Sequence, residues 1–161
     1  GDYDLSGHEK TSKESHKIFF DNKKFVPHVM ELSFGVDRNI YALIELSYRK
    51  EKDRTILSLP ANLAPFQVAV FPLVNKDCIE KIAKDVHGML KGDFDAVYDD
   101  SGSIGKRYYR EDERGTFLAI TVDYDSLKAE DVTVRSRDTT KQTRVKIKDL
   151  KDTLVQLMSE S

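Results

Sequence analysis

Tryptophan is absent from the 161 residues, and cysteine occurs once, at Cys78. A single thiol excludes an internal disulfide framework and any four-cysteine zinc site. It fits a reducing, intracellular compartment. No apolar run approaches the ~20 residues that a membrane-spanning helix needs. The first residues are polar and charged, unlike the start of a secretory signal. An excess of either charge is also missing: 26 Lys and Arg face 28 Asp and Glu, for a net charge of −2. The chain therefore carries no global cationic signature, and any contact with nucleic acid must rest on a local patch. His16, His28 and His87 are not spaced as metal ligands, so no metal site is expected. There is no repeat and no low-complexity tract.

What is present is 39% hydrophobic and 34% charged residues, enough for a packed core under a heavily charged surface. The length suits one domain, or one domain plus part of another. Residues 1–24 are polar and weakly patterned. Residues 25–34 read as a strand, continuously apolar as if buried on both faces. Residues 37–49 read as a helix, and the charge run 50–54 as a solvated turn. Two prolines bracket residues 59–65, which should be extended, and a domain boundary is expected there. The expected domains are 1–60 and 66–161.

From residue 66 strands and helices alternate. Residues 67–71 form a short apolar strand. In residues 76–91, Ile79, Ile82, Ala83, Val86, Met89 and Leu90 make one stripe at helical spacing, with Gly92 placed to end the helix. Residues 96–98 are a second strand. Ser103 is placed to cap a helix over 106–113 that Gly115 ends. Residues 116–124 are the strongest strand. Residues 132–135 and 143–147 alternate with period two, as a hairpin does. A final helix carries Leu150, Leu154, Leu157 and Met158. Together these predict an α/β fold: a mixed sheet flanked by helices, preceded by a strand–helix segment.

Two blocks can carry chemistry. In Pro27-His-Val-Met-Glu-Leu-Ser-Phe-Gly-Val-Asp-Arg38, a strand runs into a helix with Arg38 in its first turn. That arrangement aims backbone N–H groups and a guanidinium at one spot, which suits a polyphosphate. Gly35 suits close approach of backbone to a ligand. Glu31 and Ser33 stand two apart on a strand and share a face. A carboxylate there needs a cationic partner, which could be a ligand ammonium or a neighbouring Lys or Arg. Arg38 alone would read as an ordinary solvated helix arginine.

The second block is Asp99-Asp-Ser-Gly-Ser-Ile-Gly-Lys-Arg-Tyr-Tyr-Arg-Glu-Asp-Glu-Arg-Gly115. Helical spacing makes Lys106, Arg110 and Arg114 neighbours, with Arg107 beside them. Tyr108 and Tyr109 add aromatic surface, so the patch combines phosphate-binding cations with rings that stack unpaired bases. Asp112 and Glu113 can accept from the amino group of cytosine. Arg137 and Asp138 belong to a second polar cluster on the hairpin, with Arg135, Gln142 and Arg144. On composition alone, both clusters read as charged, solvated surface.

The first block resembles motif 3 of the class II aminoacyl-tRNA synthetases. The second, together with Thr121-Val-Asp-Tyr-Asp125 and Val134-Arg-Ser-Arg-Asp-Thr-Thr-Lys-Gln142, resembles the anticodon-binding domain of glycyl-tRNA synthetases. The likeness covers most of residues 25–158 in order and spacing. It departs at Leu32, where the family usually has proline. The resemblance implies that Glu31 and Ser33 hold glycine and that Gly35 and Arg38 hold ATP, with Arg38 catalytic. It implies that Lys106, Arg107, Arg110, Asp112, Glu113, Arg137 and Asp138 contact the anticodon stem-loop of tRNA(Gly). It further implies ATP as substrate with Mg2+, a homodimeric complete enzyme and a cytoplasmic location. Motifs 1 and 2 have no counterpart, so the chain reads as the C-terminal piece of a longer synthetase, inactive by itself. Two alternatives remain at this point: a stand-alone binding module, and a class II synthetase for threonine, proline or histidine.

Overall fold

A computed structural model describes residues 2–159, apart from the side chains of Asp2, Tyr3 and Asp77. The chain divides into two compact units, Gly1–Ile40 and Tyr41–Ser161.

The first unit holds β1 (Asp2–Asp4), α1 (Ser6–Ser12), β2 (Ile18–Phe20), β3 (Lys23–Phe25), β4 (His28–Met30) and the first turn of α2 (Val36–Ser47). β1 pairs antiparallel with β4. β2 and β3 form a hairpin turned by Asp21 and Asn22, both at positive φ. Short polar side chains tolerate that conformation best, and it matches the twist of a two-residue hairpin loop. The expected strand over 25–34 is thus interrupted. Pro27 separates β3 from β4, and after Met30 the backbone is irregular up to the start of α2. The expected burial on both faces is not observed, since Met30, Leu32 and Phe34 are all exposed. Among the described residues β4 has one partner strand, β1, and one neighbour cannot cover an apolar strand.

The second unit opens with a hairpin of β5 (Tyr48–Glu51) and β6 (Arg54–Leu57), turning at residues 52–53. Its main sheet is built from β7 (Val68–Pro72), β8 (Ala96–Tyr98), β9 (Leu118–Val122), β10 (Asp131–Ser136) and β11 (Gln142–Lys146), in the order β11-β10-β9-β7-β8. β7 runs parallel to both neighbours, and β10 and β11 add antiparallel. The helices are α3 (Asp77–Leu90) between β7 and β8, α4 (Ile104–Arg114) between β8 and β9, the short α5 (Ser126–Ala129), and α6 (Leu150–Ser159). The expected mixed α/β sheet is present.

Alternation within the strands sorts the core into two layers. Val68, Val70, Leu118, Ile120, Val122, Val132 and Val134 face α3 and α6, whose Ile79, Ala83, Val86, Leu90, Leu150 and Leu154 complete the larger cluster. Ala69, Phe71 and Ala119 face the other way, against Ile104 and Tyr108 of α4. Every residue of β7 and β9 is buried, as an uninterrupted apolar run demands. Each large side chain so buried contributes about 1.5–3 kcal/mol.

Gly115 ends α4 at φ 85, with its N–H directed to the Asp112 carbonyl and the Thr116 N–H to that of Glu111. This is the left-handed glycine cap. Gly92 plays no such part, because α3 passes through Lys91 in right-handed conformation. Residues 59–65 are not extended. Leu63 and Ala64 both donate to the Pro60 carbonyl, and the resulting turn buries Leu59, Ala61 and Ala64. The β5–β6 hairpin packs on α4, and the second compact unit begins at Tyr41, upstream of the boundary expected at residues 59–65.

Candidate nucleic-acid interface

Helix α4 has two faces because 3.6 residues make a turn. Arg107, Glu111 and Asp112 point inward and are buried, while Lys106, Tyr109 and Glu113 are exposed and Arg110 half-buried. The inward face carries charges, and each finds partners. Asp112 accepts from Arg54 Nε at 2.7 Å and from both Arg135 terminal nitrogens at 3.1 and 3.2 Å. Glu111 accepts from Thr116 Oγ1 at 2.7 Å and Arg114 Nη1 at 2.9 Å. Arg107 is 3% exposed, and all its partners are oxygens of the chain itself. Arg137 is 2% exposed and donates to the carbonyls of Gly115 and Leu59 and to Asp138. Asp138 also accepts from Ser58 Oγ at 2.8 Å and from Arg49.

Four residues expected to touch RNA are therefore committed to holding the unit together. Arg107, Asp112 and Arg137 are inside it, and Asp138 ties the hairpin to the sheet. Sequence spacing placed them on solvated faces. The β5–β6 hairpin, whose residues 50–54 read as a solvated turn, supplies Arg49 and Arg54, with Ser58 just beyond it, to Asp112, Arg137 and Asp138, whereas Arg107 is enclosed by residues 72–75 and 100–102.

Other polar side chains lie around the carboxyl ends of β7, β8 and β9. Lys76 follows β7 and sets its ammonium 5.6 Å from the ring centroid of Tyr124, which follows β9 and is 47% exposed. Asp99 follows β8 and accepts from Ser101 N and Oγ at 2.9 and 2.7 Å and from Arg110. Burial alone would raise the Asp99 pKa, but the Ser101 hydrogen bonds and the Arg110 charge hold it below the ordinary value. Lys106 and Tyr109 continue this polar rim along α4. In open α/β sheets, ligands bind outside the carboxyl ends of the strands. Sequence reasoning missed the Lys76–Tyr124 pair. Its signal was position: Tyr124 comes two residues after a strongly apolar strand.

In the first unit, Ser33 Oγ donates to Glu31 Oε1 at 2.7 Å, so the two side chains do meet. Ser33, Gly35, Val36, Asp37 and Arg38 line an open concavity of about 510 Å³ at the start of α2. The first backbone N–H groups of a helix have no intrahelical acceptor, which makes this end receptive to anions. Among the described residues, no three His, Cys, Asp or Glu side chains converge to hold a metal ion, and no helix is long and apolar enough to cross a membrane.

Residues 67–157 match the anticodon binding domain family. The chain belongs to that family. The match coincides with the main sheet and its helices, so the rim just described is part of an anticodon-binding domain. Over longer stretches the chain is similar to glycine–tRNA ligases. It is 50% identical over 145 residues to that of Methanocaldococcus jannaschii, covering 89% of this chain and 25% of that protein. It is 43% identical over 158 residues to that of Clostridium kluyveri, covering 94% of this chain and 34% of that protein. The chain thus spans a quarter to a third of these curated relatives. The fold is also that of part of prolyl-tRNA synthetase from Cryptosporidium parvum, solved with halofuginone and AMPPNP. That likeness has a TM-score of 0.61 at 26% identity and covers 65% of this chain and 23% of that one.

Proposed function

We propose that this chain is the C-terminal part of a glycine–tRNA ligase, and that its anticodon-binding domain grips the anticodon stem-loop of tRNA(Gly). The carrying observation is the family match over residues 67–157, a span in which cations and aromatic rings are exposed. Lys76, Lys106 and Arg110 supply charge for phosphates, and Tyr109 and Tyr124 supply flat surface for unstacked bases. Glu113, exposed on α4, would accept from a base amino group.

In the complete enzyme, glycine would be activated with ATP and passed to tRNA. Glu31 and Ser33 would hold the glycine ammonium, while Gly35 and Arg38 would meet the nucleotide phosphates, with Arg38 neutralising charge during adenylate formation. Mg2+ would accompany the nucleotide phosphates. A homodimer in the cytoplasm fits such a synthetase. The curated relatives named above favour glycine over threonine, proline or histidine as the amino acid.

The test is a titration of residues 1–161 against glycine stem-loops with the second and third anticodon bases intact or changed, at several salt concentrations. The intact loop should bind best, and log affinity should fall linearly with log salt. Equal affinity for every loop, unaltered by Lys106→Ala or Tyr124→Ala, would leave only non-specific attraction and overturn the reading.

A further inference from the structure

The two loops that leave β7 and β8 go to opposite faces of the sheet, one to α3 and the other to α4. In an open sheet this divergence leaves a crevice between them. Here a side chain fills it. Arg107 sends Nη1 to the Pro72 carbonyl, Nη2 to the carbonyls of Asp100 and Gly102 at 2.7 and 2.8 Å, and Nε to that of Ser101 at 3.3 Å. Nη2 also lies 3.5 Å from Asn75 Oδ1, and Asn75 Nδ2 donates to the Asp100 carbonyl at 3.0 Å. Pro72 and Asn75 belong to one loop, and residues 100–102 to the other. The partners are all uncharged oxygens, so a buried cation is held by carbonyl dipoles alone. That is costly unless the geometry is fixed. Only the planar fork of arginine serves both loops at once. A lysine ammonium is a single point charge on a flexible stem.

We propose that Arg107 is a positioning residue: it locks the loops after β7 and β8 into one platform, and so sets where Lys76, Arg110 and Lys106 meet RNA, without touching RNA itself. The proposal rests on the anticodon reading for its RNA consequence, but not for the lock. Lys76 ends one loop. Gly102, at φ +71, and the Asp99–Arg110 pair shape the other. Without the guanidinium the two loops would move independently, and the phosphate and stacking groups would lose their fixed spacing.

The experiment compares wild-type residues 1–161 with Arg107→Lys, Asn75→Ala and Lys106→Ala. Backbone hydrogen exchange should speed up about tenfold in Arg107→Lys at residues 73–76 and 99–103 together, the loss of one charge-assisted hydrogen bond being enough for that. The amides of β9 and β10 should be unchanged. Asn75→Ala should give a smaller effect at the same two loops. Preference for the glycine stem-loop over altered loops should drop several-fold in Arg107→Lys with its salt slope intact, whereas Lys106→Ala should lower the slope by about one. If Arg107→Lys fails to fold, Arg107→Ala with added methylguanidinium takes its place, and regained protection of both loops is the expected result. Unchanged exchange, loosening of one loop only, or absence of rescue would overturn the lock. A salt slope lowered by about one in Arg107→Ala but intact in Arg107→Lys would overturn it too, by showing that the charge itself meets a phosphate. If the wild-type chain prefers no loop, the anticodon reading fails, and the exchange data alone decide the role of Arg107.

Discussion

Arg54 donates through Nε to Asp112 Oδ2 at 2.7 Å, joining residues 58 positions apart in the chain. Asp112 is also gripped by Arg135, so one buried carboxylate stitches the β5–β6 hairpin, α4 and β10 together. Removing it strands two guanidinium groups in a poorly solvated place. Asp112→Ala should cost about 3–5 kcal/mol, the usual result of breaking a buried ion pair from one side. Urea denaturation of residues 1–161 measures it, and a loss below about 1 kcal/mol would show that water reaches the cluster.

Acid should weaken the fold through Asp138. Burial alone would raise its pKa, but the Arg137 and Ser58 hydrogen bonds and the Arg137 and Arg49 charges bring it below the ordinary 3.8. A carboxylate whose folded value lies below its unfolded one stabilises fully above 3.8 and loses that stabilisation as pH falls through the lowered value. Asp123, held by Arg144 and Ser126, acts in the same sense. Thermal melts should therefore fall as pH drops below about 4, and Asp138→Asn should be less stable at neutral pH and less acid-sensitive. Equal acid sensitivity in the variant would remove Asp138 from the explanation.

Gly115 combines a left-handed φ with contact against the hairpin. A Cβ there would lie 2.9 Å from the Leu57 carbonyl oxygen and 3.0 Å from Leu59 Cδ1. Gly115→Ala should destabilise by about 2 kcal/mol, the upper end of the left-handed penalty, with the crowding adding to it. A melt within a degree of wild type would show that the hairpin gives way freely.

Tyr109 and Tyr124 are the exposed rings of the rim, at 50% and 47%. Replacing either by alanine should weaken stem-loop binding by about 1–3 kcal/mol with little change in salt slope, because stacking releases no counterions. Fluorescence titration tests this. A changed slope with unchanged affinity at low salt would move the contact from base to phosphate.

The glycine pocket is testable in a complete glycine–tRNA ligase carrying these residues. Glu31→Gln should raise the KM for glycine roughly ten- to a hundredfold by weakening a charge-assisted hydrogen bond. Arg38→Ala should slow ATP–pyrophosphate exchange and leave tRNA affinity nearly unchanged. Unaltered glycine kinetics with a lower melting temperature would make Glu31 a structural residue.

Strand and helix identities were legible where periodicity was strong. The stripe of α3, the alternation of β10 and β11 and the glycine cap of α4 all follow from local sequence. Arg107, Asp112 and Arg137 were misplaced because periodicity gives a helix or strand face but not what covers it. Over Asp112 and Arg137 the covering element, Arg54–Leu57, is short with a single charged residue, and its burial comes from partners far along the chain. Glu31 and Ser33 were legible as neighbours, since a spacing of two fixes a shared strand face even where the ladder has stopped.

The hairpin on α4 means that the recognisable domain and the self-sufficient one differ in extent. The family match begins at residue 67, but Asp112 draws on Arg54, Arg137 on the Leu59 carbonyl, and Asp138 on Ser58. A piece cut at Pro65 would keep every strand of the main sheet and yet uncover a salted seam along α4. A graft of this domain onto another protein should therefore carry the hairpin that precedes it, or rewrite the charges on that seam.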